Sequence, residues 1–570
     1  MISKKNQKLI FIIQFCFFSI LIYSLLNIDK GGAILWSNQI IFYFALFSSM
    51  ILFLVTFFYS ENEITITYIL YTIFFCTSLV LIFFIGSGNY NYDLDSVLSI
   101  HSIPFILDNG YSGQFIKSFI STTYALPGLS ILSGILVLIT NYPYMIIGKY
   151  LPLALIAIFF IIYFSLIRSV FNSKIAVISS ILVFSFPYFN MLGSIFANSV
   201  LAIPLMLLFW GLLLGKGNSK NLKTAQIILI LIITAAFVFS HHLTYFISYI
   251  FLLLLFIFYF LISKLSECKE NFTDFEILIF IELLILISFY IYIYLSPFET
   301  LLSTFTNQLI TEGASVTSVN SWTIQTIIPR SIFVIFISTV TFIALVELKS
   351  DFKSFLKKRY VKYYFLGAGI FLLGVGSVLV KAPLNWDRIA IFGWLLFIPA
   401  GFCIIHSNIK QVNTKKILSI ILISLLVGGN VYSIPIDNFI HSGDNRYSGS
   451  FKNWIKNQEY FANNWLLSFR NSEIPVVGDE TVGRLFVSNS PQFLGAYHGV
   501  SKFEDYYKDS NAYLTIRNEN FYQFVGQYYL KNTEQKNQQK LSREDYQRLM
   551  LDHQNQKIYD NNEVYLFERG

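Results

Sequence analysis

The sequence predicts a polytopic α-helical membrane protein with a small α/β domain outside the membrane at its C-terminus. Of the 570 residues, 55% are hydrophobic and 13% are charged, which is about half the charged fraction of an ordinary soluble domain. The apolar residues form continuous blocks, and a helix needs about 20 such residues to cross a bilayer. Because the blocks do not alternate as barrel strands do, a helical bundle is favoured.

Fourteen apolar segments are candidate membrane spans. They cover residues 9–27, 39–59, 66–86, 122–140, 143–167, 175–190, 198–215, 225–239, 243–263, 275–295, 331–348, 363–380, 388–406 and 416–435. Lysine and arginine cluster in the short loops 216–223, 349–362 and 407–416. The positive-inside rule places these loops in the cytoplasm, together with the N-terminus. No small-residue cleavage site follows the first apolar run, so we interpret it as an uncleaved span.

Segment 122–140 is predicted to dip into the membrane without crossing it. Three spans lead from the cytoplasmic N-terminus to an outer loop at 87–121, whereas Arg168 and Lys174 have the pattern of a cytoplasmic loop. An odd number of crossings must separate the two loops, yet two apolar segments lie between them. The resulting arrangement has about thirteen transmembrane helices in the cell membrane, a cytoplasmic N-terminus and an extracytoplasmic C-terminal domain.

The composition divides the chain into a transmembrane domain, 1–438, and a C-terminal domain, 439–570. From Asp444 onward there are 15 Lys or Arg and 16 Asp or Glu residues, a balance that argues against a nucleic-acid partner. Strands are expected at 474–479 and 564–567, and helices at 451–468 and 541–553. These elements predict a small α/β domain.

The outer loop 87–121 contains the acidic pair Asp93 and Asp95 directly after a span. An apolar-patterned helix from Val97 to Ile106 follows and is expected to lie in the membrane interface. Two carboxylates at this spacing could share a divalent cation such as Mg²⁺ or Mn²⁺, or one could act as a general base. The alternative is a solvated loop in which Asp95 or Ser96 caps the helix.

Three further groups of polar residues are predicted on the same outer side. His241 and His242 lie between two apolar spans, where imidazoles could bind a phosphate, ligate a metal or only cap a turn. Lys381, Trp386 and Arg388 precede a span; arginine suits phosphate, although Trp and Arg also serve as interfacial anchors. Glu312 lies in the long loop 296–330 and is either a metal or acceptor contact or a solvated carboxylate.

Glu282 is an acid well inside an apolar span. Ionisable groups at membrane depth are candidates for function. Glu282 could instead form a hydrogen bond to a neighbouring helix and have no further role.

Together these features resemble the GT-C class of integral membrane glycosyltransferases. The resemblance rests on the acidic motif in an early outer loop, the interfacial helix after it, the phrase Tyr124-Ala-Leu-Pro-Gly128, Arg168 and the outer-face Arg388. It covers roughly residues 66–435. The chain departs from the common pattern because three spans, not one, precede the acidic loop, and because it has no Trp-Trp-Asp motif.

The resemblance implies a sugar donor carried on a polyprenyl phosphate and an acceptor that is a glycan, a lipid or a protein. Asp93 or Asp95 would then be the catalytic acid of the first outer loop or would hold the metal. Arg388 would contact the lipid phosphate. A polysaccharide polymerase or ligase, and a transporter or flippase of lipid-linked sugars, remain alternatives. Transfer of a whole oligosaccharide to Asn is disfavoured because the Trp-Trp-Asp motif is missing from the sequence.

Overall fold

The computed structural model describes most of the helical part of the chain and a smaller share of its C-terminal part. The described residues are 34–59, 66–86, 128–193, 196–214, 224–266, 273–294, 324–350, 352–379, 386–409, 411–432, 457–469, 474–478, 497–499, 511–517, 555–560 and 564–569, with single residues or short stretches within 9–23, 100–107, 471 and 544–552.

The helices before the C-terminal part are long and apolar. They are α1 (Ile34–Tyr59), α2 (Ile66–Gly86), α3 (Gly128–Thr140), α4 (Tyr144–Val170), α5 (Ser173–Ser185), α6 (Pro187–Leu192), α7 (Asn198–Leu214), α8 (Thr224–Val238), α9 (His242–Ser266), α10 (Thr273–Tyr294), α11 (Ile324–Ser350), α12 (Phe352–Lys357), α13 (Arg359–Leu379), α14 (Trp386–Asn408) and α15 (Val412–Tyr432).

Four helical segments in the described part of the chain are both long and apolar enough to cross a bilayer. They are Tyr144–Val170, Leu243–Lys264, Ile389–Asn408 and Val412–Asn430. Several further apolar helices of 10–17 residues accompany them, Phe44–Tyr59 and Asn198–Leu214 among them. The membrane-protein prediction therefore agrees with the helices that the structure contains.

Polar contacts show which helix ends lie together. Asn408 Nδ2 donates to Glu347 Oε2 at 2.9 Å, and the Tyr360 hydroxyl donates to Glu347 Oε1 at 2.9 Å. The end of α11, the start of α13 and the end of α14 therefore meet. Lys358 also pairs with Glu347, and this hydrogen bond raises the pKa of the Lys358 ammonium.

Further helix ends join the same side of the bundle. Lys362 Nζ donates to the Tyr259 hydroxyl at 3.1 Å, which brings in the C-terminal part of α9. Lys416 Nζ lies 4.9 Å from the centre of the Tyr59 ring, which brings in the end of α1 and the start of α15. We call this side the His406 end, after the histidine near the end of α14, and the opposite side the His241 end.

The helix α3 begins at the His241 end, where Gly128 N donates to Phe239 O at 2.9 Å. Its 13 residues extend about 20 Å, less than the roughly 30 Å of a bilayer core. The next helix, α4, ends at the His406 end, because the ring of Phe171 lies 5.0 Å from that of Tyr363. The chain thus enters both α3 and α4 from the His241 end, in agreement with a segment that dips without crossing.

Glycines allow two helices of the core to touch through their backbones. A Cβ atom on Gly367 of α13 would lie 2.6 Å from Phe397 N, and one on Gly393 of α14 would lie 2.7 Å from Gly367 O. Small residues at such crossings let helices approach closely inside a membrane. The middle of α14 is therefore tied to α13 by close packing.

Three sequence-based boundaries need correction. The loop predicted over 296–330 is shorter, because α11 already begins at Ile324. The basic loop predicted over 349–362 contains the short helix α12 and the start of α13. The span predicted over 175–190 is divided between α5 and α6 at Phe186, since Pro187 has no amide hydrogen to continue the helix.

The described residues of the C-terminal part include the helix α16 (Asn457–Phe469), single helical residues within 544–551 and a five-stranded mixed sheet. The strands are β1 (Val476–Gly478), β2 (Tyr497–Gly499), β3 (Ala512–Arg517), β4 (Asn555–Asp560) and β5 (Val564–Arg569), in the order β2-β1-β3-β5-β4. β1 is parallel to β2 and β3, whereas β5 is antiparallel to β3 and β4. Ala462 and Leu466 of α16 pack with Val476 and Leu566 in a separate small core.

Candidate functional site

The structure describes the candidate residues to different extents. His241 is described in full, whereas His242, Trp386 and Arg388 are described as backbone in the first turns of α9 and α14. Asp93, Asp95, Glu312 and Lys381 lie outside the described residues. Their grouping in one site therefore stays a prediction.

The helix directions nevertheless show where the candidate segments start. α9 and α14 both end at the His406 end, so their first residues, His242 and Trp386, lie at the His241 end. The end of α1 lies at the His406 end, and the Tyr68 hydroxyl at the start of α2 donates to Thr56 O at 3.4 Å. The chain therefore leaves α2 at the His241 end before it reaches Asp93.

The turn that carries His241 is packed against the first residue of α3. Besides the bond from Gly128 N to Phe239 O, Ser240 N and His241 N donate to Phe237 O at 2.9 and 3.2 Å. A Cβ atom on residue 128 would lie 2.8 Å from Phe239 O. Only glycine fits this approach. Gly128 and the turn that carries His241 therefore lie close together, a contact between distant segments that the sequence did not reveal.

The His241 side chain caps helix α9. Its Nδ1 accepts from Thr244 N at 3.3 Å and lies 2.7 Å from Thr244 Oγ1. Since a nitrogen that accepts an amide hydrogen carries no proton of its own, the neutral ring bears its proton on Nε2. This tautomer makes Nε2 a hydrogen-bond donor, which suits a contact with a phosphate oxygen better than the role of general base.

Glu282 lies in a closed polar cluster between three helices. Its side chain is 1% exposed. Thr234 Oγ1 of α8 donates to Oε1 at 2.7 Å, and the Tyr245 hydroxyl of α9 donates to Oε2 at 2.7 Å. Both carboxyl oxygens therefore accept a hydrogen bond. These two bonds join α8, α9 and α10 near the His241 turn. Of the two interpretations of Glu282, the structure shows the bond to neighbouring helices.

A groove of about 300 Å³ lies between α11, α13 and α14. Phe371, Trp394 and Phe397 form much of its apolar wall, and Ser338, Thr341 and Tyr364 add hydroxyl groups. Two of those hydroxyls satisfy each other, because Tyr364 donates to Thr341 Oγ1 at 3.1 Å. No signal in the sequence marks this groove, since its walls come from three separate apolar spans.

One wall of the groove belongs to α14, the helix that also contains Arg388. Trp394 lies six positions after Arg388, or about 9 Å farther along the axis of α14. Leu372, at the groove, is 65% exposed. The groove therefore lies along the middle of α14, farther from the His241 end than Arg388 is along the helix axis.

The described residues contain no group of three or more His, Cys, Asp or Glu side chains that could hold a metal ion. The pair for which a metal was considered, Asp93 and Asp95, is not among them. A divalent cation at this pair thus stays a prediction.

No protein-family model and no curated protein matches the chain. Among solved structures, it is similar to ArnT from Cupriavidus metallidurans in the apo state, with 7% identity, a TM-score of 0.47 and coverage of 87% of this chain and 97% of that one. ArnT bound to undecaprenyl phosphate matches with 10% identity and a TM-score of 0.40, over 87% of this chain and 97% of that one.

The archaeal oligosaccharyltransferase AglB from Archaeoglobus fulgidus, in complex with an inhibitory peptide and a dolichol-phosphate, is also similar. Its identity is 12% and its TM-score 0.44, over 72% of this chain and 63% of that one. ArnT and AglB are GT-C glycosyltransferases, the class that the sequence resembles. At these identities and TM-scores, no residue role or substrate is transferred from them to this chain.

Proposed function

We propose that the chain is a membrane glycosyltransferase that moves a sugar from a polyprenyl-phosphate-linked donor to an acceptor at the His241 end. We place this end on the extracytoplasmic side and count about thirteen crossings, because the basic loops lie at the opposite end. One observation supports the proposal most directly: the first residues of α9 and α14 and the last residues of α2 all lie at the His241 end. Those helix ends adjoin the acidic, histidine and arginine candidates along the chain.

The donor needs two environments, and the chain has a candidate for each. Its isoprenoid chain needs an apolar surface between helices, and the groove beside Trp394 and Phe397 is such a surface. Its phosphate needs donors near the membrane surface, and Arg388 and the Nε2 of His241 are suited to that task. In the transfer, the acceptor oxygen forms a bond to the sugar while the bond from sugar to phosphate breaks.

The remaining steps are assigned to the acidic pair. Asp93 or Asp95 would take the proton from the acceptor hydroxyl as general base. The leaving phosphate gains negative charge, which Arg388 and His241 would stabilise, together with a metal ion if the acidic pair holds one. Lys381, Trp386 and Glu312 are proposed as further contacts of the donor or the acceptor.

The surroundings of Glu282 do not support the transporter alternative. A proton or ion path would require this carboxyl to face a pore open to both ends. It is instead enclosed by Thr234 and Tyr245. The polymerase or ligase alternative shares the outer site, and the acceptor used in an assay separates it from transfer of a single sugar.

The test compares Asp93→Asn and Asp95→Asn with the wild-type protein in proteoliposomes that contain polyprenyl-phosphate-linked sugars. We expect transfer to fall roughly 10²- to 10⁴-fold in at least one variant, the usual contribution of a general base. Glu276→Gln is the matched control, because Glu276 is an exposed carboxyl in the first turn of α10 at the His406 end. Unchanged transfer in both aspartate variants would end the catalytic assignment.

A further inference from the structure

A short helical segment after the acidic pair is packed into the bundle. Its described helical residues are Ile100, Ile103, Pro104, Ile106 and Leu107. We call this segment the acidic-loop helix, because Asp95 lies five positions before Ile100. Ile100 is 1% exposed and Ile103 is 0% exposed, and both belong to the main hydrophobic core. Protein, not lipid, therefore covers these two isoleucines.

One end of the acidic-loop helix contacts α4 at a glycine. A Cβ atom on Gly148 would lie 2.7 Å from both Cδ1 and Cγ1 of Ile100. Carbon atoms pack at about 3.5–4.0 Å, so a side chain on residue 148 does not fit beside Ile100 in its present position. Gly148 is the fifth residue of α4, about 6 Å from the start of that helix. The contact therefore lies near the His241 end.

The other end of the acidic-loop helix contacts α3 at a second glycine. A Cβ atom on Gly134 would lie 3.3 Å from Cδ2 of Leu107, which also packs against the main hydrophobic core. The start of α3 is in turn bound to the turn that carries His241, because Gly128 N donates to Phe239 O at 2.9 Å. α3 therefore connects the acidic-loop helix with the His241 turn.

A displacement of Ile100 is expected to reach the acidic pair. Asp95 lies within about 18 Å of Ile100, because each of the five residues of chain spans at most about 3.6 Å. The sequence predicts a helix from Val97 onward, so one helical turn joins the acidic pair to Ile100. Ile100 is β-branched and enclosed by protein, which leaves its side chain few other rotamers. A methyl group on residue 148 therefore displaces the helix.

We propose that Gly148 and Gly134 are positioning residues for the transfer reaction. By fixing the acidic-loop helix against α4 and α3, they set the position of Asp93 and Asp95 relative to the His241 turn. This inference rests on the proposed function, which assigns catalysis to the acidic pair. Gly148 has the larger effect, because its contact is the closer of the two. Neither glycine touches the donor or the acceptor.

The kinetic test compares glycine variants in proteoliposomes that contain a polyprenyl-phosphate-linked sugar. Gly148→Ala should lower kcat per folded protein about 10²-fold, the effect of a misplacement of about 1 Å, with the KM for the donor nearly unchanged. Gly134→Ala should lower kcat less. Gly148→Ala/Ile100→Ala should recover part of the loss, because it removes the atoms that meet the new methyl group. Gly211→Ala is the control, since its methyl group would lie 3.7 Å from Leu166 Cδ1.

A disulfide test examines the contact with Gly148 without any assay of transfer. Ile100→Cys with Gly148→Cys should oxidise to a disulfide in a protein whose four native cysteines are replaced by alanine. Cγ1 and Cγ2 of Ile100, which are both bonded to its Cβ, lie 2.7 and 3.4 Å from a Cβ atom on residue 148. Disulfides join Cβ atoms about 3.5–4.5 Å apart. Ile100→Cys with Gly211→Cys is the control pair and should stay reduced.

The two tests separate this inference from the proposed function. A folded protein in which the first cysteine pair stays reduced would overturn the contact, whatever the aspartate variants show. Unchanged kcat in Gly148→Ala, an equal loss in Gly211→Ala, or no recovery in the double variant would overturn the positioning role. Should Gly148→Ala not fold, Gly134→Ala and its recovery by Leu107→Ala decide by the same criteria. Unchanged transfer in both aspartate variants ends the catalytic assignment even where the disulfide forms.

Discussion

At the scale of single residues, the structure explains Glu282 through partners that are far away in the chain. Thr234 and Tyr245 are 48 and 37 positions from Glu282, yet their hydroxyls occupy both carboxyl oxygens. The sequence identifies a carboxyl in an apolar run, but it does not show which hydroxyls reach it. His241, by contrast, has a local partner, because its Nδ1 accepts from the backbone N–H of Thr244 three residues later.

Replacing Glu282 should separate its packing role from any role in chemistry. Glu282→Leu removes the carboxyl acceptors of the Thr234 and Tyr245 hydroxyls, so we expect a loss of about 1–3 kcal/mol in the free energy of unfolding. Glu282→Gln keeps an acceptor oxygen and should lose less. Thermal unfolding in detergent measures both, and a Leu variant as stable as the wild type would contradict the role of Glu282 in joining α8, α9 and α10.

At the scale of helices, the apolar blocks predict most elements because the helices follow continuous apolar runs, four of which are long enough to cross a bilayer. The errors fall where apolarity does not mark the boundary. α11 begins at Ile324, inside a stretch of mixed composition, and α5 stops before Pro187 although the apolar run continues. Contacts between blocks, such as Gly128 with Phe239, could not be predicted, since they depend on how the helices pack.

The crossing of α13 and α14 gives a sharp test of helix packing. Gly367→Ala and Gly393→Ala would each place a methyl group within 3 Å of backbone atoms. We expect each to destabilise the protein by about 1–3 kcal/mol, the usual cost of overpacking. Gly211→Ala is the control, because its methyl group would lie 3.7 Å from Leu166 Cδ1. Equal melting temperatures for the three variants would refute the backbone contact.

The groove between α11, α13 and α14 predicts an effect on the lipid part of the donor. Ala368→Phe would fill the groove, of which Ala368 is a lining residue. We expect the KM for a long-chain polyprenyl donor to rise roughly tenfold, the effect of losing the burial of about two methylene groups. The KM for a donor shortened to two isoprene units should change little. Leu425→Phe, on the exposed face of α15, serves as control, and an equal KM change for both donors would argue against the groove as the lipid site.

At the scale of the whole molecule, the two ends of the bundle differ in chemistry. At the His406 end, Lys358 pairs with Glu347, and Lys362 and Lys416 lie over aromatic rings. The His241 end has the start of α9 and of α14 and the end of α2, from which the predicted catalytic segments continue. This separation is what the proposed active site on one side of the membrane requires.

The central claim is that Asp95 and Arg388 share one pocket that opens at the His241 end. It is tested most directly by the paired substitutions Asp95→Cys and Arg388→Cys, with the four native cysteines replaced by alanine. A short, membrane-impermeant bis-maleimide added to the extracytoplasmic side should crosslink this pair, whereas Asp95→Cys with Glu276→Cys should stay uncrosslinked. If the folded protein with the first pair gives no crosslink, the two residues do not meet and the proposed active site is contradicted.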